Sequence, residues 1–223
     1  MPKLKIAASL LAGEFINLER DVKEIEKAGI DLIHLDVMDG HYVPEITFGR
    51  QIISTVMKLT KLPIDIHLAV TNIDHTINGF MQLHPRCIFI HPETSYMPIR
   101  LLENIAQAEV LPGIAVNPTY PIDSAKNLLE YYGGVCDVLF MSVEPGYGGQ
   151  PIMHKRLQIA KNLRPFVRGS MWIDGGINPN WAIEAKKNGV DGVVSGTYVF
   201  NDVQPMKLNV DSLRGESLSW RTP

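Results

Sequence analysis

Cysteine is scarce. Cys87 and Cys136 lie in separate apolar runs, "RCIFIH" and "VCDVLFM", and in no CxxC pair. That excludes a disulfide framework and a cysteine zinc site, and predicts two buried free thiols. No apolar stretch is long enough to cross a membrane. The opening "MPKLKIAASLLAG" enters a strand-like run without the apolar core and cleavage site of a signal peptide. Charge of one sign is also missing: 21 Lys and Arg against 24 Asp and Glu give a net −3, with no basic stripe or block. Nucleic acid and anionic membrane are poor partners for such a surface. No dinucleotide fingerprint appears, so a hydride cofactor is not expected. Neither a Ser/Gly-rich linker nor a low-complexity segment divides the chain. The expectation is a cytoplasmic protein folded as one domain over residues 1–223.

Hydrophobic residues make up 45% of the chain and charged residues 20%, enough to fill a substantial core. Short apolar runs alternate with amphipathic segments throughout. Strands are predicted over 4–10, 31–38, 63–70, 87–91, 112–117, 137–143, 170–174 and 192–196. Helices are predicted over 17–28, where Leu18, Val22 and Ile25 recur at helical spacing and Asn17 can cap the start. Further helices are predicted over 49–60, 73–83, 98–108, 121–132, 152–163 and 179–188. "QPMKLNVDSLRG" supplies a last short helix, and "ESLSWRTP" is expected to be loosely held. Such alternation argues for a parallel sheet covered by helices. A closed (β/α)8 TIM barrel fits the strand count, with a doubly wound open sheet as the rival.

The stretch "HLDVMDGHYVP" carries the first chemical signal. Side chains alternate across a strand, so Ile33, Leu35 and Val37 face one way and His34, Asp36 and Met38 the other. The third strand repeats this, with Ile64, Ile66 and Leu68 opposed to Asp65, His67 and Ala69. Asp174 ends the seventh strand. In a (β/α)8 barrel these strand ends converge on the face that carries active sites. His34, Asp36, His67 and Asp174 would then meet as two imidazoles and two carboxylates. A buried carboxylate needs compensation, and a divalent metal of the zinc, iron(II), manganese or cobalt kind would supply it. A lone inward histidine is more often a hydrogen-bonded core residue. Spacing by itself leaves the metal site and a packed polar cluster both open. His75, His84 and His154 fall in helix or loop stretches and carry no such signal.

A second signal is made of glycines. "EPGYGGQ" (144–150), "DGG" (174–176) and "SGT" (195–197) follow the sixth, seventh and eighth strands. Glycines let backbone N–H groups approach an anion, and a following helix N-terminus adds a favourable dipole. One such pair would mean only a tight turn; three at consecutive strand ends favour a phosphate grip.

With these motifs, together with "DIHLAV", "NPTYP", "MSVEPGYGGQP" and "SGTYVF", the sequence resembles the ribulose-phosphate 3-epimerase family, including its ketohexose-6-phosphate 3-epimerase relatives. The resemblance runs from "AASLLAGEF" to "SGTYVF". It implies a (β/α)8 barrel holding one divalent metal ion, with His34, Asp36, His67 and Asp174 as ligands. It also implies Asp36 and Asp174 as the acid–base pair, and Ser9 and His67 as substrate contacts. Gly146, Tyr147, Gly148, Gly149, Gly175, Gly176, Gly196 and Thr197 correspond to the phosphate-binding segments. Met38 and Met141 are expected either to wall the site or simply to fill the barrel. The chain departs from the family pattern at Ala69, Glu45 and Thr197, and "HPE" (91–93) is closer to the ketohexose-phosphate branch.

The leading expectation is interconversion of D-ribulose 5-phosphate and D-xylulose 5-phosphate through an enediolate. Allulose 6-phosphate, a ketohexose 6-phosphate, is the alternative substrate. A sugar-phosphate binding protein without turnover is the alternative of another class, and a homo-oligomer is expected because barrels of this family tend to assemble.

Overall fold

The computed structural model describes residues 3–216. Eight strands close into a parallel barrel in chain order: β1 (Lys5–Ser9), β2 (Leu32–Met38), β3 (Ile64–Ala69), β4 (Cys87–Ile90), β5 (Leu111–Val116), β6 (Asp137–Met141), β7 (Met171–Asp174) and β8 (Gly192–Ser195). Closure is made by β1 pairing with β8, Lys5 opposite Gly192 and Ala7 opposite Val194. This decides for the (β/α)8 barrel over the open sheet. The helices are α1 (Leu18–Ala28), α2 (Arg50–Leu59), α3 (Ile73–Thr76), α4 (Asn78–Met81), α5 (Pro98–Gln107), α6 (Ile122–Tyr132), α7 (Lys155–Leu163), α8 (Pro179–Lys187) and α9 (Met206–Leu213).

The alternation read from the sequence sorts the side chains into two cores. Ile33, Leu35, Ile64, Ile66 and Leu68 face outward and pack against the helices, whose own apolar stripes supply residues such as Val22, Ile25 and Ile53. Leu32, Phe89, Leu139, Met141 and Trp172 face inward and fill the barrel. Small residues make room for the two large rings. A Cβ on Gly192 would lie 2.3 Å from the Trp172 ring. Cys87 and Cys136 are buried free thiols, as expected.

The N-terminal end of the barrel is closed by ions. Arg86, just before β4, donates from Nε and Nη2 to Asp65 at 2.6 and 2.5 Å, and from Nη1 to Asp137 Oδ2 at 3.0 Å. Trp172 Nε1 donates to the same Asp137 oxygen at 3.2 Å. Both carboxylates are buried, so each depends on this guanidinium.

Three local expectations are corrected. Asn17 stands at the start of α1 but does not cap it; its Nδ2 donates to Glu14 Oε2 at 2.7 Å. The preceding 3-10 turn leaves Asn17 at φ −116°, ψ 28°, outside the extended conformation that turns an N-cap side chain toward the helix amides. The segment 73–83 is two short helices interrupted at Ile77, with the weak helix former Gly79 inside the second. Helix α7 starts at Lys155 rather than 152, because Met153 N donates to Ser142 O at 2.8 Å and so ties that backbone to the end of β6.

The last short helix forms as α9. It buries Val210 and Leu213 and lies beside α1 and α8, closing the helical ring. Arg214, just beyond it, donates to Gly29 O at 2.6 Å and to Asp31 Oδ2 at 2.8 Å. Of "ESLSWRTP", Glu216 pairs with Lys3 at 2.8 Å, and 217–223 lie outside the described residues.

Candidate active site

Strand register brings the polar residues of the barrel mouth together. Asp36 on β2 lies opposite His67 on β3, and Met141 on β6 opposite Asp174 on β7. Asp36 Oδ1 is 2.9 Å from His67 Nδ1, while Oδ2 accepts from Ser9 Oγ at 2.8 Å. His34, Asp36, His67 and Asp174 each place one potential ligand atom within 4.8 Å of the others. The four residues selected by strand alternation therefore do meet.

The cluster contains an imidazole without hydrogen-bond partners. His34 is completely buried, and neither ring nitrogen has a hydrogen-bond partner, although Nε2 comes to 3.4 Å from Asp36 Oδ1. Burial lowers the affinity of His34 for a proton, but Asp36 beside it prevails and pushes the imidazole up to about 8. Burial works against the Asp36 carboxylate too, yet His34 and His67 together hold it well below the usual carboxylate range. Asp174 is pushed up to about 7, by burial first and by the Asp36 charge second. One buried and one half-buried carboxylate, two imidazoles and an unpartnered ring nitrogen pointing among them are a donor set suited to a divalent cation of the zinc, iron(II), manganese or cobalt class.

Above the cluster opens a cavity of about 310 Å³, lined by Ser9, Asp36, Met38, His67, Met141 and Asp174. Met38 and Met141 thus stand in its wall. His34 lies beneath, out of contact with the cavity. The expected glycines all line the rim: Gly146, Gly148 and Gly149 with Tyr147 after β6, Gly175 and Gly176 after β7, and Gly196 with Thr197 after β8. Gly175 and Gly176 have φ of 110° and 63°, and a Cβ on Gly176 would meet Gln150 O at 2.6 Å. Only glycine allows the two loops to close against each other there. No lysine or arginine lines the cavity among the described residues. An anion held at this rim would rely on backbone N–H groups.

Other expected residues are placed elsewhere. Ala69 is fully buried against Met38 and Val43 and does not line the cavity, so its small size does not enlarge it. Glu45 is exposed and outside the lining. His75, His84 and His154 are exposed, away from the cluster.

Sequence reasoning missed the groups behind His67. Its Nε2 lies 2.8 Å from His91 Nε2, and beyond His91 stand Glu93, Tyr42 and Asn117. The signal was present: the alternation that turns Cys87 and Phe89 inward on β4 continues to His91. Arg156, in α7, was also missed. It is buried and donates to the carbonyls of Met141, Val116 and Asn117 at 2.9 Å each, fixing the ends of β5 and β6 below the cavity.

Residues 5–200 match the family model described as "Ribulose-phosphate 3 epimerase family". Ribulose-phosphate 3-epimerase of Helicobacter pylori (strain J99) is 37% identical over 216 residues, 95% of this chain and 97% of that protein. The protein of the same name from Methanocaldococcus jannaschii is 37% identical over 220 residues, covering 96% and 92%. That of Bacillus subtilis is 32% identical over 218 residues, covering 95% and 99%. Among solved structures, 3-hexulose-6-phosphate synthase superimposes with a TM-score of 0.68 at 13% identity, covering 96% of this chain and 99% of that one. KGPDC from Streptococcus mutans gives 0.71 at 10% identity, covering 96% and 97%. At such identities the structures share the fold alone.

Proposed function

The chain belongs to the ribulose-phosphate 3 epimerase family, and from that premise we propose that it inverts carbon 3 of a ketose phosphate, interconverting D-ribulose 5-phosphate and D-xylulose 5-phosphate. One observation carries the reading. Asp36 and Asp174 reach a single cavity from strands separated by β1 and β8, beside two imidazoles.

The reaction removes a proton α to the carbon 2 ketone and returns one to the opposite face. Two carboxylates approaching from different directions meet that need. Asp36 takes the proton from one side and Asp174 delivers one from the other. Their roles exchange when the reaction runs backwards. Held by His34, His67, Asp36 and Asp174, a divalent cation would act as a Lewis acid toward the negative charge developing on the substrate oxygens. Ser9 donates to Asp36 Oδ2 and so steadies the carboxylate. Met38 and Met141 give the reacting carbons an apolar wall that keeps water away. The phosphate lies among the glycines of the three rim loops, bound through backbone N–H groups. A protein that only bound such an anion would gain nothing from two opposed carboxylates beside it.

The test is isotope exchange. Metal-loaded protein is added in deuterated water to ribulose 5-phosphate and, separately, to allulose 6-phosphate, and carbon 3 is followed by NMR. Faster deuterium entry into the pentulose phosphate supports the proposal. Preference for the hexulose phosphate would transfer it to the ketohexose substrate, and no exchange in either, with metal bound, would leave a binding protein.

A further inference from the structure

His67 is the first member of a buried line of polar groups. Its Nδ1 faces Asp36 at 2.9 Å and its Nε2 faces His91 Nε2 at 2.8 Å. His91 is completely buried at the end of β4, and its Nδ1 makes no hydrogen bond; Glu93 Oε1 stands 3.6 Å from it. That oxygen is held in place by Tyr42 Oη and Asn117 Nδ2, each donating to it at 2.8 Å. The Tyr42 ring also packs on the His91 ring, centroids 4.8 Å apart.

Two ring nitrogens at hydrogen-bond distance share one proton, and a neutral imidazole carries one N–H. Only two arrangements satisfy both rules. If His91 donates, His67 keeps its proton on Nδ1, aimed at Asp36, and His91 turns a bare lone pair toward the Glu93 carboxylate. If His67 donates, its Nδ1 is left bare beside Asp36, and His91 directs an N–H toward Glu93. The first suits Asp36 alone. The second sets a lone pair and a carboxylate oxygen side by side at the candidate metal site, which is what a cation requires. Glu93 favours the second, because a fixed acceptor faces His91 Nδ1.

We infer that His91 and Glu93 are positioning residues that hold His67 in the tautomer with Nδ1 unprotonated, and so strengthen metal binding through that atom. The inference rests on the metal-site reading given above. Carboxylate partners behind a ligating imidazole commonly act in this way; here a second imidazole stands between them.

Two measurements test it. The first is long-range 1H–15N NMR of the histidine rings in the zinc-loaded wild-type protein, expected to show His67 protonated on Nε2 and His91 on Nδ1. The second is cobalt(II) titration followed by visible absorption. His91→Phe keeps a ring of similar shape without its nitrogens and should bind cobalt roughly 10–100-fold more weakly, with Glu93→Ala moving in the same direction. His91→Gln, which offers an acceptor to His67 Nε2–H, should recover most of the loss. Unchanged cobalt affinity in folded His91→Phe, or a zinc-loaded His67 protonated on Nδ1, overturns the inference and leaves the metal site standing. A wild-type protein that binds neither ion overturns the site reading and the inference together. The ring spectra need no variant, so misfolding of His91→Phe would not remove the test.

Discussion

Phe89 on β4 lies directly opposite Gly113 on β5, and a Cβ placed on that glycine would come within 2.4 Å of the phenyl ring. The ring fills the barrel interior because its neighbour has no side chain. Gly113→Ala is expected to force Phe89 out of its position and to destabilise the protein by about 1–3 kcal/mol. Chemical denaturation of the two proteins measures this directly, and an unchanged midpoint would show that the ring can move at no cost.

The ionic closure at the other end of the barrel gives a second expectation. Arg86→Met removes the guanidinium and leaves Asp65 and Asp137 buried without their partner. Burial already pushes the Asp65 carboxyl up, against the pull of Arg86. Breaking such a pair by deleting one member costs about 3–5 kcal/mol. Thermal unfolding should show a large drop in Tm. Little change would mean that water reaches the carboxylates.

Asp174→Asn preserves size and removes the charge of a half-buried carboxylate. The variant is expected to fold with no loss of thermal stability, while turnover falls by roughly 10²–10⁴-fold, the usual contribution of a proton-transfer group. Near-wild-type epimerisation would remove Asp174 from the mechanism.

The thiols offer a test of packing. Burial pushes both Cys87 and Cys136 upward, so neither forms the thiolate that reacts with disulfide reagents near pH 8. An aromatic disulfide reagent should label neither in the folded protein and both in guanidinium. Labelling of Cys87 before unfolding would show that the barrel floor opens.

How much of this is legible in the chain depends on the range of the interaction. The two-residue alternation around His34, Asp36 and His67 is local, and it separates barrel interior from helix-facing surface without help from distant residues. The choice between closed barrel and open sheet rests on Lys5 meeting Gly192, a pairing across nearly the whole chain that no local pattern encodes. The start of α7 is misplaced by periodicity for the same reason, since Met153 is claimed by Ser142 on another element. Asn17 fails as a cap because a short turn before it changes its backbone. His91 was within reach, but a histidine at a strand end acquires meaning only when the ring opposite is known to be His67.

The stopper of Arg86, Asp65, Asp137 and Trp172 has a kinetic consequence. A vessel sealed at its base has a single doorway, so whatever enters must leave by the same route. Under the proposed reaction, starting and finished sugar phosphate then compete for one berth. Each would exclude the other, so the forward reaction is expected to slow as its own product accumulates.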